Sequence, residues 1–130
     1  MKEKIIKKLK DNLISKNEII FCYIHGSFLD GILFNDIDVA IYVDPEKVGL
    51  EKAFDYSFNL SVKLTREIGL DIDVQIMNYS TVGFKHYVFK NGKLLFSKDE
   101  NLRLELMEKI SLEYIDFYEL SLQYIRELIH

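Results

Sequence analysis

The sequence predicts a single α+β domain built on a small mixed β-sheet with flanking helices. Three observations carry this. Its 130 residues suit one hydrophobic core and leave no room for two. Short apolar runs of strand type alternate with longer stretches of helical period. Gly, Asn and Pro punctuate the boundaries between them. Residues 1–130 are therefore read as one domain, with helices expected to pack one face of the sheet.

In chain order, residues 2–15 place Ile5, Ile6, Leu9, Leu13 and Ile14 at helical spacing with lysines opposite, an amphipathic helix. Residues 19–25, IIFCYIH, are a continuous apolar run with β-branched and aromatic side chains, a buried strand that breaks at Gly26-Ser27. A loop with Asp30, Gly31 and Asn35 leads into DIDVAIYVD, residues 36–44, where Ile37, Val39 and Ile41 alternate with Asp36, Asp38 and Ala40. Pro45 is expected just inside the next helix with Asp44 as its cap, and that helix to stop at Gly69.

Residues 70–78, LDIDVQIMN, alternate again as a strand. Residues 80–90 read as a short helix capped by Ser80 or Thr81, Asn91-Gly92 as a turn, and KLLFS, residues 93–97, as a last strand. From Asp99 onward the chain is helical, as two helices or one bent one. Its stripe of Tyr114, Phe117, Tyr118 and Tyr124 is expected mostly in the core, with any exposed part a partner or dimer surface.

Composition narrows the function classes. A net charge of -4 gives no general affinity for nucleic acid or anionic membrane, and direct nucleic-acid binding is not expected. The first helix carries Lys2, Lys4, Lys7, Lys8 and Lys10 while the last thirty residues are mostly acidic, which reads as two solvated helix faces of opposite sign. Cys22 is the sole cysteine, so an internal disulfide and a cysteine zinc site are excluded. No signal-peptide stretch or membrane-length apolar run is present, and a cytoplasmic protein is expected.

The chemistry concentrates in HGSFLDGILFNDIDVAIYV, residues 25–43. Residues two apart on a strand point the same way, so Asp36 and Asp38 share a face and can share a divalent cation. Magnesium takes a few hard oxygen ligands and keeps its other places for water and substrate phosphates. Gly26 has no side chain to keep a phosphate from the backbone, and Ser27 adds a hydroxyl. A helical turn opening the following segment would add free amides. On the LDIDVQI strand, alternation puts Asp71 and Asp73 on the polar face, and one of them reaches the same cluster if the strands are neighbours. Two ions about 3.5–4 Å apart are a recurring arrangement for displacement at phosphorus. A D-x-D pair alone is as easily a solvated edge, and Gly-Ser after a strand as easily a plain turn; the conjunction is what is specific.

With these residues in view, the chain resembles the minimal nucleotidyltransferases (MNT), the small prokaryotic branch of the DNA polymerase β-like superfamily. Gly26 and Ser27 match that family's phosphate-binding pair, Asp36 and Asp38 its metal-binding pair, and Asp73 its third carboxylate. EYIDFYELSLQYI, residues 113–125, is similar to a helix many members carry. The resemblance implies a nucleotidyltransferase fold, ATP as substrate, two Mg2+ ions, and Asp36, Asp38 and Asp73 as metal ligands and catalytic residues, with Asp73 activating the acceptor. It also implies an antitoxin role, in which AMP passes to a tyrosine of a partner HEPN ribonuclease toxin. Homo-oligomers are compatible with it. The alternatives are a non-catalytic binding antitoxin, or transfer to a small molecule such as an aminoglycoside.

Two departures from the family pattern stand out. The spacer between Ser27 and Asp36 holds eight residues, shorter than is common, and Asp30 stands before Gly31 where members often carry arginine. A tighter loop and a weaker hold on triphosphate are the expected results. His25 is expected to be a partly buried structural histidine, His86 and His130 are too isolated for a metal site, and Lys63 and Arg66 are read as helix surface.

Overall fold

In the computed structural model, which describes residues 2–30 and 36–129, the chain runs α1 (Lys2–Ile14), β1 (Ile19–His25), α2 (Ser27–Asp30), β2 (Asp36–Val43), α3 (Leu50–Ile68), β3 (Asp71–Ile76), α4 (Val82–Asn91), β4 (Lys93–Ser97) and α5 (Glu100–Ile129). The strands form a four-stranded sheet in the order β3-β2-β1-β4. β1 is antiparallel to β2 and to β4, whereas β2 and β3 are parallel, so the sheet is mixed as predicted. A parallel pair needs a crossover connection, and α3 provides it.

Period-2 alternation sends Ile37, Val39 and Ile41 of β2 to one face of the sheet. They meet Cys22 and Ile24 of β1, Ile72 and Val74 of β3, and Leu9, Leu13, Leu60 and Leu64 from α1 and α3. The other face is not bare, which corrects the expectation of helices on one face only. Phe21, Tyr23 and Ala40 are buried there with Met77 and Val88, and Phe84, Phe89 and Leu106 pack against them from α4 and α5. The physical reason is aromatic area: Phe21 stacks on Tyr42 at 5.0 Å between ring centroids and meets Phe89 at 6.1 Å, and such surface drives helices over it.

β3 is an edge strand, and α3 closes its free side. The Ile72 N–H donates to Thr65 Oγ1 and the Val74 N–H to Ser61 Oγ, both at 2.9 Å. At the far end of β2, Asn78 exchanges two hydrogen bonds with the backbone of Val43, at 2.9 and 2.7 Å.

Helix ends depart from expectation at one place. Pro45 lies in a turn, and α3 starts only at Leu50, after the N-cap Gly49. Asp44 caps that turn instead: its Oδ1 accepts from the Glu46 N–H at 3.0 Å, and its carbonyl accepts from Lys47 and Val48. The turn allows Val48 to be buried. α3 ends as predicted on Gly69, left-handed at φ 86°. Thr81, rather than Ser80, caps α4 by accepting from the Phe84 N–H at 3.1 Å.

α5 is one continuous helix of 30 residues, about 45 Å long, with Asp99 Oδ1 accepting from the Leu102 N–H at its start. Arg103 fastens it to the sheet by donating to the Tyr23 hydroxyl at 2.6 Å, while also pairing with Glu100. Leu106 and Ile110 pack inward. Beyond them the aromatic stripe is not core, contrary to expectation: Phe117, Tyr118 and Tyr124 are 65%, 55% and 63% exposed. α4, its neighbour, has ten residues and spans about 15 Å, so a helix three times as long outruns it. Tyr114 is half-buried, stacked on His86 at 3.8 Å. Among the described residues no helix is long and apolar enough to cross a membrane.

Candidate active site

β1 ends on His25, and the chain turns at Gly26 with φ +84°, a conformation open to glycine and strained for other residues. The approach is close as well as twisted. A Cβ at position 26 would lie 2.6 Å from Asp38 Oδ2. Ser27 then opens the helical turn α2, exposed to solvent, while Phe28 is buried in the α1–α3 core and pins the turn. Gly31 and Asn35, with the rest of residues 31–35, lie outside the described residues, as does the side chain of Asp30; the short loop and the acidic substitution fall there.

Sheet register assembles the carboxylates. His25 of β1 pairs with Asp38 of β2, and Asp38 pairs with Asp73 of β3. One step outward, Asp36 pairs with Asp71. All four aspartates occupy the face shared with Tyr23 and Ala40. Asp36, Asp71 and Asp73 are exposed and Asp38 is half-buried. Burial raises the Asp38 carboxyl pKa above its usual range; His25 opposes the rise, and the negative fields of Asp36 and Asp73 add to it.

Among the described residues, no three or more His, Cys, Asp and Glu side chains form a ready-made metal cage. The arrangement nonetheless fits a hard divalent cation. Its donors are carboxylate oxygens, Asp36 and Asp73 each resist ionisation of Asp38, and magnesium commonly takes one or two carboxylates and completes its shell with water and phosphates.

One site neighbour went unnoticed in the sequence. Gln75 Nε2 donates to Asp73 Oδ2 at 3.1 Å, and Gln75 Oε1 lies 2.9 Å from His25 Nε2. The signal was available: the alternation that pairs Asp71 with Asp73 puts Gln75 on the same face. His25 is buried, as expected, 5% exposed and edge-on to the rings of Phe84 and Tyr87. Lys63 and Arg66 are exposed on α3, also as expected.

No curated protein matches the chain. Solved structures do. A chain of the tri-AMPylated Shewanella oneidensis HEPN toxin–MNT antitoxin complex is similar over 100% of both chains, with 17% identity and a TM-score of 0.75. A chain of a toxin–antitoxin complex with AMP-PNP covers 99% of this chain and 98% of its own, with 22% identity and a TM-score of 0.70. A chain of the MntA–HepT toxin–antitoxin complex covers 98% and 92%, with 23% identity and a TM-score of 0.56. At these identities the likeness establishes the fold. The family model described as polymerase beta, nucleotidyltransferase, matches residues 3–101 and so takes in β1 to β4 with every candidate residue. The resemblance drawn from Gly26, Ser27, Asp36 and Asp38 agrees with both results: the chain belongs to the polymerase β nucleotidyltransferase family.

Proposed function

We propose that this chain transfers AMP from ATP to a tyrosine of a HEPN-domain toxin and thereby acts as its antitoxin. The observation that carries the reading is the Asp38–Asp73 register, with the bare backbone of Gly26 against Asp38. It puts the Gly26 turn and the carboxylates in one corner of the sheet.

In this reading Gly26 and Ser27 receive the triphosphate, Gly26 through its backbone and Ser27 through its hydroxyl, with the missing side chain of Gly26 making room for Asp38. Asp36 and Asp38 hold two magnesium ions, with Asp73 completing the set. Bound magnesium supplies neutralisation of phosphate charge and a lowered proton affinity for the attacking hydroxyl. Asp73, exposed at the sheet edge, takes the acceptor proton. The tyrosine oxygen bonds to the α-phosphorus as the α–β bridging bond breaks, and pyrophosphate leaves with the bonding pair.

Two further observations support a protein acceptor and ATP. The apolar C-terminal half of α5 is uncovered by the rest of the chain, a surface suited to a protein partner. Similar solved complexes hold an AMPylated HEPN toxin and AMP-PNP.

The test is intact-mass measurement of a candidate partner HEPN-domain toxin, after incubation with the chain, ATP and magnesium. One or more added AMP units, absent with Asp36→Asn, is the expected result. A stable complex without added mass would replace the proposal with a binding antitoxin. Absence of any complex would return a small-molecule acceptor to first place.

A further inference from the structure

We infer that Gln75 is a positioning residue for Asp73 and that His25 in turn fixes Gln75; the inference rests on the role proposed above for Asp73. An ionised carboxylate can only accept hydrogen bonds, so the Gln75 group facing Asp73 Oδ2 at 3.1 Å is the amide nitrogen. Its oxygen then faces His25 and must accept, which places a proton on His25 Nε2 across the 2.9 Å contact. The three side chains form a chain of donors with a single direction, from His25 through Gln75 to Asp73.

Packing holds the histidine. The His25 ring is buried, 5% exposed, and boxed edge-on by Phe84 at 5.5 Å and Tyr87 at 5.8 Å. Its partner sits two strands away, since β2 lies between β1 and β3. The contact crosses β2 beside Ala40, which pairs with Gln75 in the parallel register and is fully buried. The methyl group of Ala40 leaves the path over the strand open; a longer side chain there would fill it. Asp73 itself is exposed on an edge strand, with one donor from this relay to set its rotamer. Without that donor the carboxylate would rotate among its staggered wells and spend only part of its time aimed at the site.

Outer partners of ligating or catalytic carboxylates typically matter by about 10–100-fold. Gln75→Met keeps the length and removes the donor. Its kcat for AMP transfer to the HEPN protein is expected to fall by about 10–100-fold, with KM for ATP changed by less than about threefold. His25→Phe keeps the aromatic box and should lower kcat by a smaller factor. The double variant should lose less than the product of the two single losses, because His25 reaches Asp73 through Gln75, while its direct field on Asp38 is lost in both His25 variants alike.

A second readout needs neither metal nor nucleotide. In the free protein the Gln75 side-chain amide resonance should shift in Asp73→Ala, and the nitrogen shifts of His25 should show a protonated Nε2. Wild-type kcat in Gln75→Met, multiplicative losses in the double variant, an unmoved Gln75 amide or an unprotonated Nε2 would each overturn the relay. Full activity of Asp73→Asn would instead overturn the role of Asp73, whatever the relay does.

Discussion

Gly26 and Asp38 occupy one space: a Cβ on the glycine would stand 2.6 Å from the Asp38 carboxylate oxygen. The turn that ends β1 and the Asp38 carboxylate of β2 are therefore a single device. Gly26→Ala must strain the positive φ and push Asp38 aside. It is expected to lower stability by about 1–3 kcal/mol in urea denaturation and to lose most transfer activity. Wild-type activity in this variant would separate the turn from the site.

Asp38 also sets a conflict between stability and function. Burial raises its pKa, so the folded state binds protons on this group more tightly than the unfolded chain does. Its contribution to stability therefore falls as pH rises from the ordinary value of 3.8 through the raised one. Asp38→Asn removes that penalty. In calorimetry of the protein free of metal and nucleotide, its Tm at pH 7 is expected above wild type by at most a few degrees, converging as the carboxyl protonates. Magnesium should raise the Tm of wild type and not of the variant. A lower Tm for the variant at pH 7 would contradict the sign.

Much of this corner was legible in advance. Alternation in DIDVAI and DIDVQI placed Asp36 with Asp38 and Asp71 with Asp73, because strand period is set by backbone geometry alone. What alternation leaves open is which strands are neighbours. Register, fixed by packing, is what puts Asp73 rather than Asp71 beside Asp38. The errors have local causes of the same kind. Asp44-Pro45 is as good a turn as a helix start, and the burial of Val48 settles it as a turn. The aromatic stripe of α5 has the period of a core helix, but period does not reveal that the helix outlasts the body it packs on.

The anchor of α5 is testable on its own. Arg103 donates to the Tyr23 hydroxyl at 2.6 Å and pairs with Glu100, and Tyr23 is buried under it. Arg103→Met is expected to cost about 1–3 kcal/mol. In a double-mutant cycle with Tyr23→Phe, the losses should be less than additive, measured by denaturant unfolding. Strict additivity would show that the pair does not interact in solution.

The far half of α5 should behave in the opposite way. Phe117→Glu with Tyr124→Glu changes exposed side chains only, so unfolding free energy should move by less than about 0.5 kcal/mol per site. Association with the HEPN protein, followed by calorimetric titration, should weaken by at least tenfold if this face carries the partner. Unchanged affinity would place the partner elsewhere.

The hydroxyls of Ser61 and Thr65 have a consequence for how copies of this chain meet. An edge strand with free N–H groups invites another strand to join it, and β3 is the edge that carries Asp71 and Asp73. Because α3 already satisfies the outward N–H groups of Ile72 and Val74, that border cannot recruit a fifth strand there. The carboxylate side of the sheet is thus kept from strand-to-strand aggregation, and the way into the site stays clear for a substrate rather than for a neighbour's backbone.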